Sequence, residues 1–286
     1  MTRLALWLVL AAGCGTGGER VVVGSKNFTE QRLLGELLAQ TVEAAGIPVK
    51  RRLDLGGTFV CDAALRAGQI DVYVEYTGTA LTAILKEPPG AEPAAVRERV
   101  RAAYAPAGLV WTAPLGFDNT FALVVRGDEP PAVRTLSDAV PFATAWRAAF
   151  GYEFKERADG YPGLARVYGL AFKEVRIMDL GLLYRALVDR LVDVVAGNAT
   201  DGVIDHLGLR ILIDDRHYFP PYEAAPIVRQ AALARHPALG PALEGLGGTL
   251  SAVTMRRLNY AVDGEHRDAA SVIREFRGGA GRAGAR

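Results

Sequence analysis

Residues that could carry out catalysis or hold a metal are scattered along this sequence. The four histidines fall at unrelated positions, outside any HExxH pattern, and no carboxylate stands at metal-ligand spacing from them. No G-x-S-x-G elbow occurs, and Cys14 and Cys61 are too isolated for a metal site or a disulfide framework. The run Gly24-Ser25-Lys26 lacks the earlier glycine of a phosphate loop. The sequence therefore favours binding of a small molecule over catalysis and predicts neither a metal nor a cofactor.

Two clusters of polar residues follow similar segments of the chain. The segment 64–72 has the form AL followed by IDV, and the segment 186–194 repeats it as AL followed by VDV. Each predicts a helix end, a turn and a buried strand, and the polar clusters EYTGT at 75–79 and GNATD at 197–201 come next. Because ligands in open α/β sheets lie beyond the carboxyl ends of strands, the repeat predicts a cleft between two similar lobes. The alternative is a chance recurrence of common strand and helix patterns.

The elements that must position these clusters alternate between strand and helix. Apolar runs predict strands at 21–25 and 70–74, and a further strand is predicted at 49–53. Asn27 and Glu30 have capping-box spacing ahead of an apolar helical stripe that Gly46 ends, and a second helix is predicted from Thr58 to Gly68. Alternating strands and helices are typical of an α/β fold with parallel-type sheets covered by helices.

Proline and glycine residues near 114–116 and 214–221 predict two crossovers between the lobes. Lobe 1 is then 20–113 plus 218–276, and lobe 2 is 114–217. Residues 277–286, rich in glycine, alanine and arginine, are expected to form a flexible tail.

The N-terminus has the layout of a secretory signal. A short basic start is followed by an apolar run from Leu4 to Ala12, too short to span a bilayer, and then by Gly13-Cys14. LAAGC at 10–14 resembles a bacterial lipobox, which implies a signal peptide over 1–13, diacylglycerol on Cys14 and a lipid-anchored tether over 14–19. Plain signal cleavage is the alternative.

Composition narrows the function further. With 286 residues, 50% of them hydrophobic, the chain can bury the cores of two lobes. Its 33 basic and 32 acidic side chains give a formal net charge of +1, which argues against nucleic acid as a partner.

Seven short motifs together resemble a known family over about residues 20 to 275. They resemble the solute-binding component of glycine betaine/carnitine/choline ABC importers. The motifs are GSKNFTEQ at 24–31, VYVEYTGT at 72–79, FDNTFAL at 117–123, EF with RADG within 153–160, MDLGL at 178–182, TDG at 200–202 and FPPYEAAP at 219–226. The resemblance implies a two-lobed type II periplasmic binding protein, in agreement with the repeat and the crossovers.

The resemblance also implies roles for seven residues. Family members hold a quaternary ammonium in an aromatic box, because a methylated cation cannot donate a hydrogen bond and is best met by ring faces. Tyr76 and Tyr222 match box tyrosines, Phe121 replaces a tyrosine, and Asn198 stands where many members have another tyrosine. The positions that match carboxylate-binding residues are Lys26, Thr79 and Arg157.

Each of these residues has a plainer interpretation. Lys26 could solvate the turn after the first strand, Arg157 could be a surface charge, and the tyrosines and Phe121 could be core residues. Asp201, next to the second cluster, is interpreted as a helix cap.

The expected function is that of an extracytoplasmic solute receptor, anchored to the membrane through Cys14, that delivers a quaternary ammonium compound to an ABC permease. Alternatives are a receptor of the same fold for another polar solute such as an amino acid, or a solute sensor without a transport role. An enzyme ranks third.

Overall fold

The computed structural model of the protein describes residues 19–88, 92–128 and 133–283. The predicted signal peptide over 1–13 and the predicted lipidation site Cys14 lie outside the described residues.

Ten strands form two sheets of five strands each. In chain order the strands are β1 (Val21–Gly24), β2 (Val49–Arg52), β3 (Val72–Tyr76), β4 (Leu109–Trp111), β5 (Phe121–Arg126), β6 (Arg147–Phe150), β7 (Glu174–Ile177), β8 (Val194–Asn198), β9 (Leu209–Ile211) and β10 (Ala224–Arg229). The first sheet has the order β2-β1-β3-β10-β4, and the second has the order β7-β6-β8-β5-β9. We refer to the parts built around these sheets as the first and second lobe.

Helices cover both sheets. They are α1 (Thr29–Ala44), α2 (Thr58–Arg66), α3 (Thr77–Thr79), α4 (Pro93–Tyr104), α5 (Leu136–Ala143), α6 (Tyr152–Glu156), α7 (Tyr161–Tyr168), α8 (Leu183–Val188), α9 (Val203–His206), α10 (Gln230–Arg235), α11 (Leu239–Glu244), α12 (Ala252–Asp263) and α13 (Ala269–Ala283). A π-helical turn, Ala80–Ile84, follows α3, and short 3-10 turns occupy Ala105–Ala107 and Leu180–Leu182.

The two sheets have the same mixed topology. Strands β1, β2 and β3 pair in parallel, as do β6, β7 and β8, in agreement with the alternating sequence pattern. The other strands pair antiparallel: β10 lies between β3 and β4, and β5 lies between β8 and β9. The chain passes from the first sheet to the second between β4 and β5 and returns between β9 and β10.

The sequence repeat corresponds to a repeated structural unit. Asp71 precedes β3 and accepts a hydrogen bond from the Val22 backbone N–H at 2.9 Å. Asp193 precedes β8 and accepts one from the Arg147 backbone N–H at the same distance. Each aspartate thus joins its strand to the neighbouring parallel strand. The repeat therefore reflects equivalent positions in the two sheets.

Alternate residues of the central strands supply cores on both faces of each sheet. In β3, Val74 packs on the side of α1, whereas Tyr73 packs with Leu65 of α2 on the other side. In β8, Val194 and Val195 divide between two cores in the same way. Because strand side chains alternate between faces, a sheet covered on both sides needs such nearly continuous apolar runs.

The beginning of α1 differs from the capping-box prediction. Its N-cap residue is Phe28, no side chain caps the helix, and the helix extends from Thr29 to Ala44. The predicted apolar stripe is correct, because Leu33 and Leu38 are fully buried. The Glu30 side chain is also buried, and its carboxylate makes contacts outside the helix end.

In the part of the chain that the structure describes, residues 277–283 of the predicted tail are helical, and the flexibility of this segment stays a prediction. Helix α13 continues to Ala283 and packs against α1. The Arg277 side chain donates a hydrogen bond to the Gln40 backbone oxygen at 2.6 Å, and Gln40 donates to the Ala270 oxygen at 2.8 Å. Docking on α1 therefore stabilises a helix whose composition resembles a tail.

Candidate ligand-binding site

Five of the predicted binding residues lie at the ends of strands, on the side of each sheet where β3 and β8 end. Tyr76 ends β3 and Asn198 ends β8, whereas Lys26 lies just after β1. Because β5 and β10 run antiparallel to these strands, Phe121, at the start of β5, and Tyr222, just before β10, lie at the same edges. In the second sheet, Phe121 is paired directly with Asn198.

A buried ion pair lies at the centre of this region. Arg157, just after α6, donates from Nε to Asp159 Oδ1 at 2.9 Å and from Nη2 to Asp159 Oδ2 at 2.6 Å. Burial opposes ionisation of Asp159, but its bonds to Arg157 prevail and lower the pKa of this carboxyl. Both side chains are at most 5% exposed, so the surface-charge interpretation of Arg157 is wrong.

The same pair joins the two lobes. Asp159 Oδ2 accepts hydrogen bonds from the Tyr222 hydroxyl at 2.9 Å and from the Thr82 hydroxyl at 2.5 Å. Arg157 Nη2 also donates to Thr79 Oγ1 at 3.2 Å. Three residues of the first lobe are thereby bound to two residues of the second.

Several aromatic rings pack around Phe121, which lies next to the Arg157 guanidinium. The Phe121 ring lies 5.6 Å from the Tyr222 ring, 5.0 Å from Phe154 and 6.0 Å from Phe219, measured between centroids. The guanidinium carbon of Arg157 lies 5.1 Å from the centroid of Phe121. This distance is within the range of cation–π attraction, so the face of Phe121 can receive a cation.

Lys26 and Tyr76 form a second cation–π contact. Lys26 Nζ lies 5.0 Å from the centroid of Tyr76 and donates to Glu75 Oε1 at 2.5 Å. Glu75 also accepts from the Tyr73 hydroxyl at 3.1 Å. Lys26 is 3% exposed, which contradicts the interpretation of this residue as a solvated turn residue.

Glu30 accepts hydrogen bonds from four neutral side chains. Its Oε1 accepts from the Tyr76 hydroxyl at 2.6 Å and from Asn119 at 2.7 Å, and its Oε2 accepts from Thr200 at 2.5 Å and from Asn259 at 3.1 Å. Burial raises the pKa of Glu30, although the four hydrogen bonds oppose that shift. Because Thr200 belongs to the second lobe, this carboxylate also joins the lobes.

Asp201 does not cap a helix, in contrast to the sequence interpretation. Gly202 is the N-cap residue of α9, and Asp201 Oδ2 accepts from the Asn198 backbone N–H at 2.9 Å and from the Tyr184 hydroxyl at 2.5 Å. Burial raises the pKa of Asp201 to about 6, and the negative charge of Glu30 contributes. Asp201 therefore orders the end of β8 that carries Asn198.

A further contact between the lobes lies at the N-terminus of α2. Glu153 of α6 accepts a hydrogen bond from the Thr58 backbone N–H at 2.7 Å. A carboxylate is favourable there because the first N–H groups of a helix have no partner within the helix. A Cβ atom on Gly57 would lie 2.2 Å from Glu153 Oε1, so this glycine permits the close approach.

The structure brings four of the seven predicted residues together across the contact between the lobes. Arg157, Thr79, Tyr222 and Phe121 lie in one group, Lys26 and Tyr76 lie in a second, and Asn198 faces Phe121 across the strand pair. Their assignment to ligand binding stays a prediction.

Sequence reasoning missed the carboxylates of this region. They are Glu30, Glu75, Glu153 and Asp159. All four lie within the family motifs, but a motif letter does not reveal which charges are paired. In the described residues, no cluster of three or more metal-ligating side chains occurs. Nor does any helix there combine the length and apolar character needed to cross a membrane.

The mixed sheets, the two passages between them and the contacts at their facing edges define a two-lobed, type II periplasmic binding protein fold. A family model described as the substrate binding domain of ABC-type glycine betaine transport systems matches residues 19–278. The chain belongs to this family, whose members are extracytoplasmic substrate-binding proteins of ABC transporters that bind small ligands and a permease.

Three known proteins illustrate the similarity. The glycine-betaine-binding protein of Pseudomonas aeruginosa is 35% identical over 295 residues, which cover 96% of this chain and 94% of that protein. The ergothioneine transport permease/ergothioneine binding protein EgtU of Helicobacter pylori is 31% identical; the match covers 95% of this chain and 49% of that protein. The third is a crystal structure of a glycine betaine/carnitine/choline ABC transporter, which is 31% identical in sequence and superposes with a TM-score of 0.74. The match covers 90% of this chain and 97% of the chain in that structure.

Proposed function

We propose that this protein binds a quaternary ammonium solute, glycine betaine or a related compound, between its lobes and delivers it to an ABC permease without transforming it. The proposed ligand-binding residues are Tyr76, Phe121, Tyr222, Asn198, Lys26, Thr79 and Arg157. Hinge motion of the lobes, with boundaries near residues 114 and 217, would admit and enclose the ligand.

The observation that carries this proposal is the pair of ring faces that already receive cations. The Lys26 ammonium lies over Tyr76 and the Arg157 guanidinium lies over Phe121, each about 5 Å from the ring centroid. A ring that attracts a tethered cation also attracts a free one of similar size. A trimethylammonium group gains further from burial of its methyl groups against Phe121 and Tyr222.

Isothermal titration calorimetry with glycine betaine, choline, carnitine, ergothioneine and proline tests the proposal. Binding of at least one quaternary ammonium compound, with proline inactive, supports it. Tyr222→Leu should weaken that binding by roughly 2- to 30-fold, from the loss of one cation–π contact. Phe142→Leu is the matched control, since Phe142 is 39% exposed and stacks on Trp146 of the second lobe. Binding of proline alone would contradict the proposal.

A different polar solute is the second candidate. Asn198 presents an amide beside Phe121, and a trimethylammonium group has no hydrogen bond to offer it. A ligand with its own donors could satisfy this group, and proline, which has N–H donors and no methylated nitrogen, is the member of the titration series that tests this candidate.

We also propose that the chain is exported and anchored to the membrane through a lipid on Cys14. The lipobox-like LAAGC at 10–14 supports this proposal. Cys14→Ser should move the protein from the membrane fraction to the soluble extracytoplasmic fraction. A variant that stays in the membrane fraction would contradict the anchor.

A further inference from the structure

The Glu30 carboxylate lies at the centre of a hydrogen-bond network behind the aromatic residues of the proposed site. Glu30 is 2% exposed, and its Oε1 accepts from the Tyr76 hydroxyl at 2.6 Å. The same oxygen accepts from Asn119 Nδ2 at 2.7 Å, and the Asn119 backbone N–H donates to the Tyr222 oxygen at 3.1 Å. Asn119 stands two residues before Phe121. Glu30 is therefore linked to Tyr76 directly, and to Tyr222 and Phe121 through Asn119.

The other carboxylate oxygen contacts the second lobe. Glu30 Oε2 accepts from Thr200 Oγ1 at 2.5 Å and from Asn259 Nδ2 at 3.1 Å. Thr200 follows β8 of the second sheet, whereas Glu30 and Asn259 lie on α1 and α12, which pack against each other. Opening of the lobes would therefore break the bond from Thr200. The loss is large because a buried carboxylate depends strongly on each of its donors.

We infer that Glu30 is a positioning residue for ligand binding, which holds the aromatic rings in place and fastens the second lobe over them through Thr200. The inference rests on the proposed function, because it requires that Tyr76 contacts the ligand between the lobes. Glu30 acts on the ligand through Tyr76. A phenol that donates to a carboxylate has a more electron-rich ring, so this bond also strengthens the attraction of the Tyr76 face for a cation.

Calorimetry with choline and glycine betaine on Thr200→Val tests the connection to the second lobe. The substitution removes one hydroxyl and keeps a side chain of similar shape, so closure loses a hydrogen bond to a charged group. The affinity for both compounds should fall by roughly 10- to 150-fold. In the Glu30→Gln background the cost of Thr200→Val should be at least about threefold smaller, because an amide is neutral and has one oxygen to accept with.

Glu36→Gln is the matched control for Glu30→Gln. Glu36 lies on the same helix, is 5% exposed and accepts from Arg51 Nε at 2.9 Å. Both substitutions should lower the free energy of unfolding, but only Glu30→Gln should weaken binding of choline, by at least about tenfold. In the Glu36→Gln background, Thr200→Val should cost as much affinity as in wild type. A purely structural role of Glu30 would instead leave the affinity of both variants at the wild-type value.

Tyr76→Phe tests the connection to the ring. The substitution removes the hydroxyl that Glu30 binds and keeps the ring, so choline affinity should fall by roughly 2- to 10-fold. This loss should disappear in the Glu30→Gln background. Tyr104→Phe is the control, because the Tyr104 hydroxyl donates to another buried carboxylate of the first lobe, Asp62, at 3.1 Å. Its choline affinity should equal that of wild type.

Three outcomes would overturn the inference: additive effects of Glu30→Gln and Thr200→Val on affinity, wild-type affinity in Thr200→Val, or wild-type affinity in Tyr76→Phe. If Glu30→Gln fails to fold, the single variants Thr200→Val and Tyr76→Phe still decide the matter, since each leaves the carboxylate in place. Failure of wild type to bind either choline or glycine betaine would instead overturn the proposed quaternary ammonium function, and this inference with it.

Discussion

Gly202 permits a close approach of backbone atoms from the two lobes, and its substitution should prevent that approach. A Cβ atom at this position would lie 2.4 Å from the Arg256 backbone oxygen and 2.7 Å from the backbone nitrogen of Tyr260 in α12. The φ and ψ angles of Gly202, −67° and −23°, are ordinary for alanine. Gly202→Ala should therefore fold normally within its lobe and conflict only with the other lobe.

The magnitude follows from the hydrogen bonds near this contact. Restoring ordinary contact distances requires the lobes to separate by about 1 Å, since few non-bonded atoms approach closer than about 3.4 Å. Two bonds would then break: Thr200 Oγ1 to Glu30 at 2.5 Å, and Asn259 Nδ2 to the Thr200 oxygen at 2.8 Å. A bond to a charged group contributes about 1.5–3 kcal/mol and a neutral one about 0.5–1.5 kcal/mol. If the ligand binds between closed lobes, its affinity should fall by roughly 30- to 2,000-fold.

Calorimetry with a ligand of the wild type, together with thermal unfolding of the ligand-free protein, measures both effects. We expect a large loss of affinity, whereas a single cooperative unfolding transition of the ligand-free variant would show that it still folds. Gly279→Ala is the control, because a Cβ atom there meets nothing within 4 Å. Gly202→Ala with wild-type affinity would refute the reasoning, since the conflict at Arg256 would then have no consequence for closure.

Three other substitutions test the groups beside this contact. Because burial raises the pKa of Asp201 to about 6 from an ordinary 3.8, its contribution to stability is complete at low pH and is lost as the pH rises through 6. Asp201→Asn should therefore raise the free energy of unfolding near neutral pH but not below about pH 4. Urea titrations at the two pH values measure this difference. An equal gain in the free energy of unfolding at both pH values would contradict the reasoning. Glu30→Gln should lower the free energy of unfolding by about 1–3 kcal/mol, because one oxygen that accepts two hydrogen bonds is replaced by an N–H donor. A urea titration that gives the wild-type free energy of unfolding would contradict this prediction. Asn198→Tyr should tighten glycine betaine binding by up to about tenfold in calorimetry if it adds a ring opposite Phe121, whereas weaker binding would indicate a hydrogen bond from Asn198 to the ligand.

Part of the fold could be predicted from local sequence patterns. The buried strands and the apolar stripe of α1 follow from residue periodicity, because one strand or one helix face must bury its own apolar residues. The repeat around Asp71 and Asp193 predicted two equivalent lobes, and the two sheets do have equivalent strand orders. The antiparallel placement of β5 and β10 was not predicted, because pairing partners far apart in the chain leave no local pattern.

The terminal helix and the start of α1 show where local patterns mislead. Residues 277–283 have the composition of a tail, yet they are helical, and Arg277 donates a hydrogen bond to α1. Glu30 has the spacing of a capping residue, yet its carboxylate binds side chains from four other segments. In both cases tertiary contacts outweigh a local preference that is small in energy.

The sequence by itself determined the family, the alternation of strand and helix at the start of the chain, and the residue types at the strand ends. Its motifs identified Arg157 and Lys26 as basic groups of the binding region, and Tyr76 and Tyr222 as its tyrosines. Only the tertiary structure decided the charge that these residues present, since Asp159 pairs with Arg157 and Glu75 pairs with Lys26. The physical reason is that a buried charge depends on which opposite charge lies within about 4 Å, and that distance is set by the packing of two lobes.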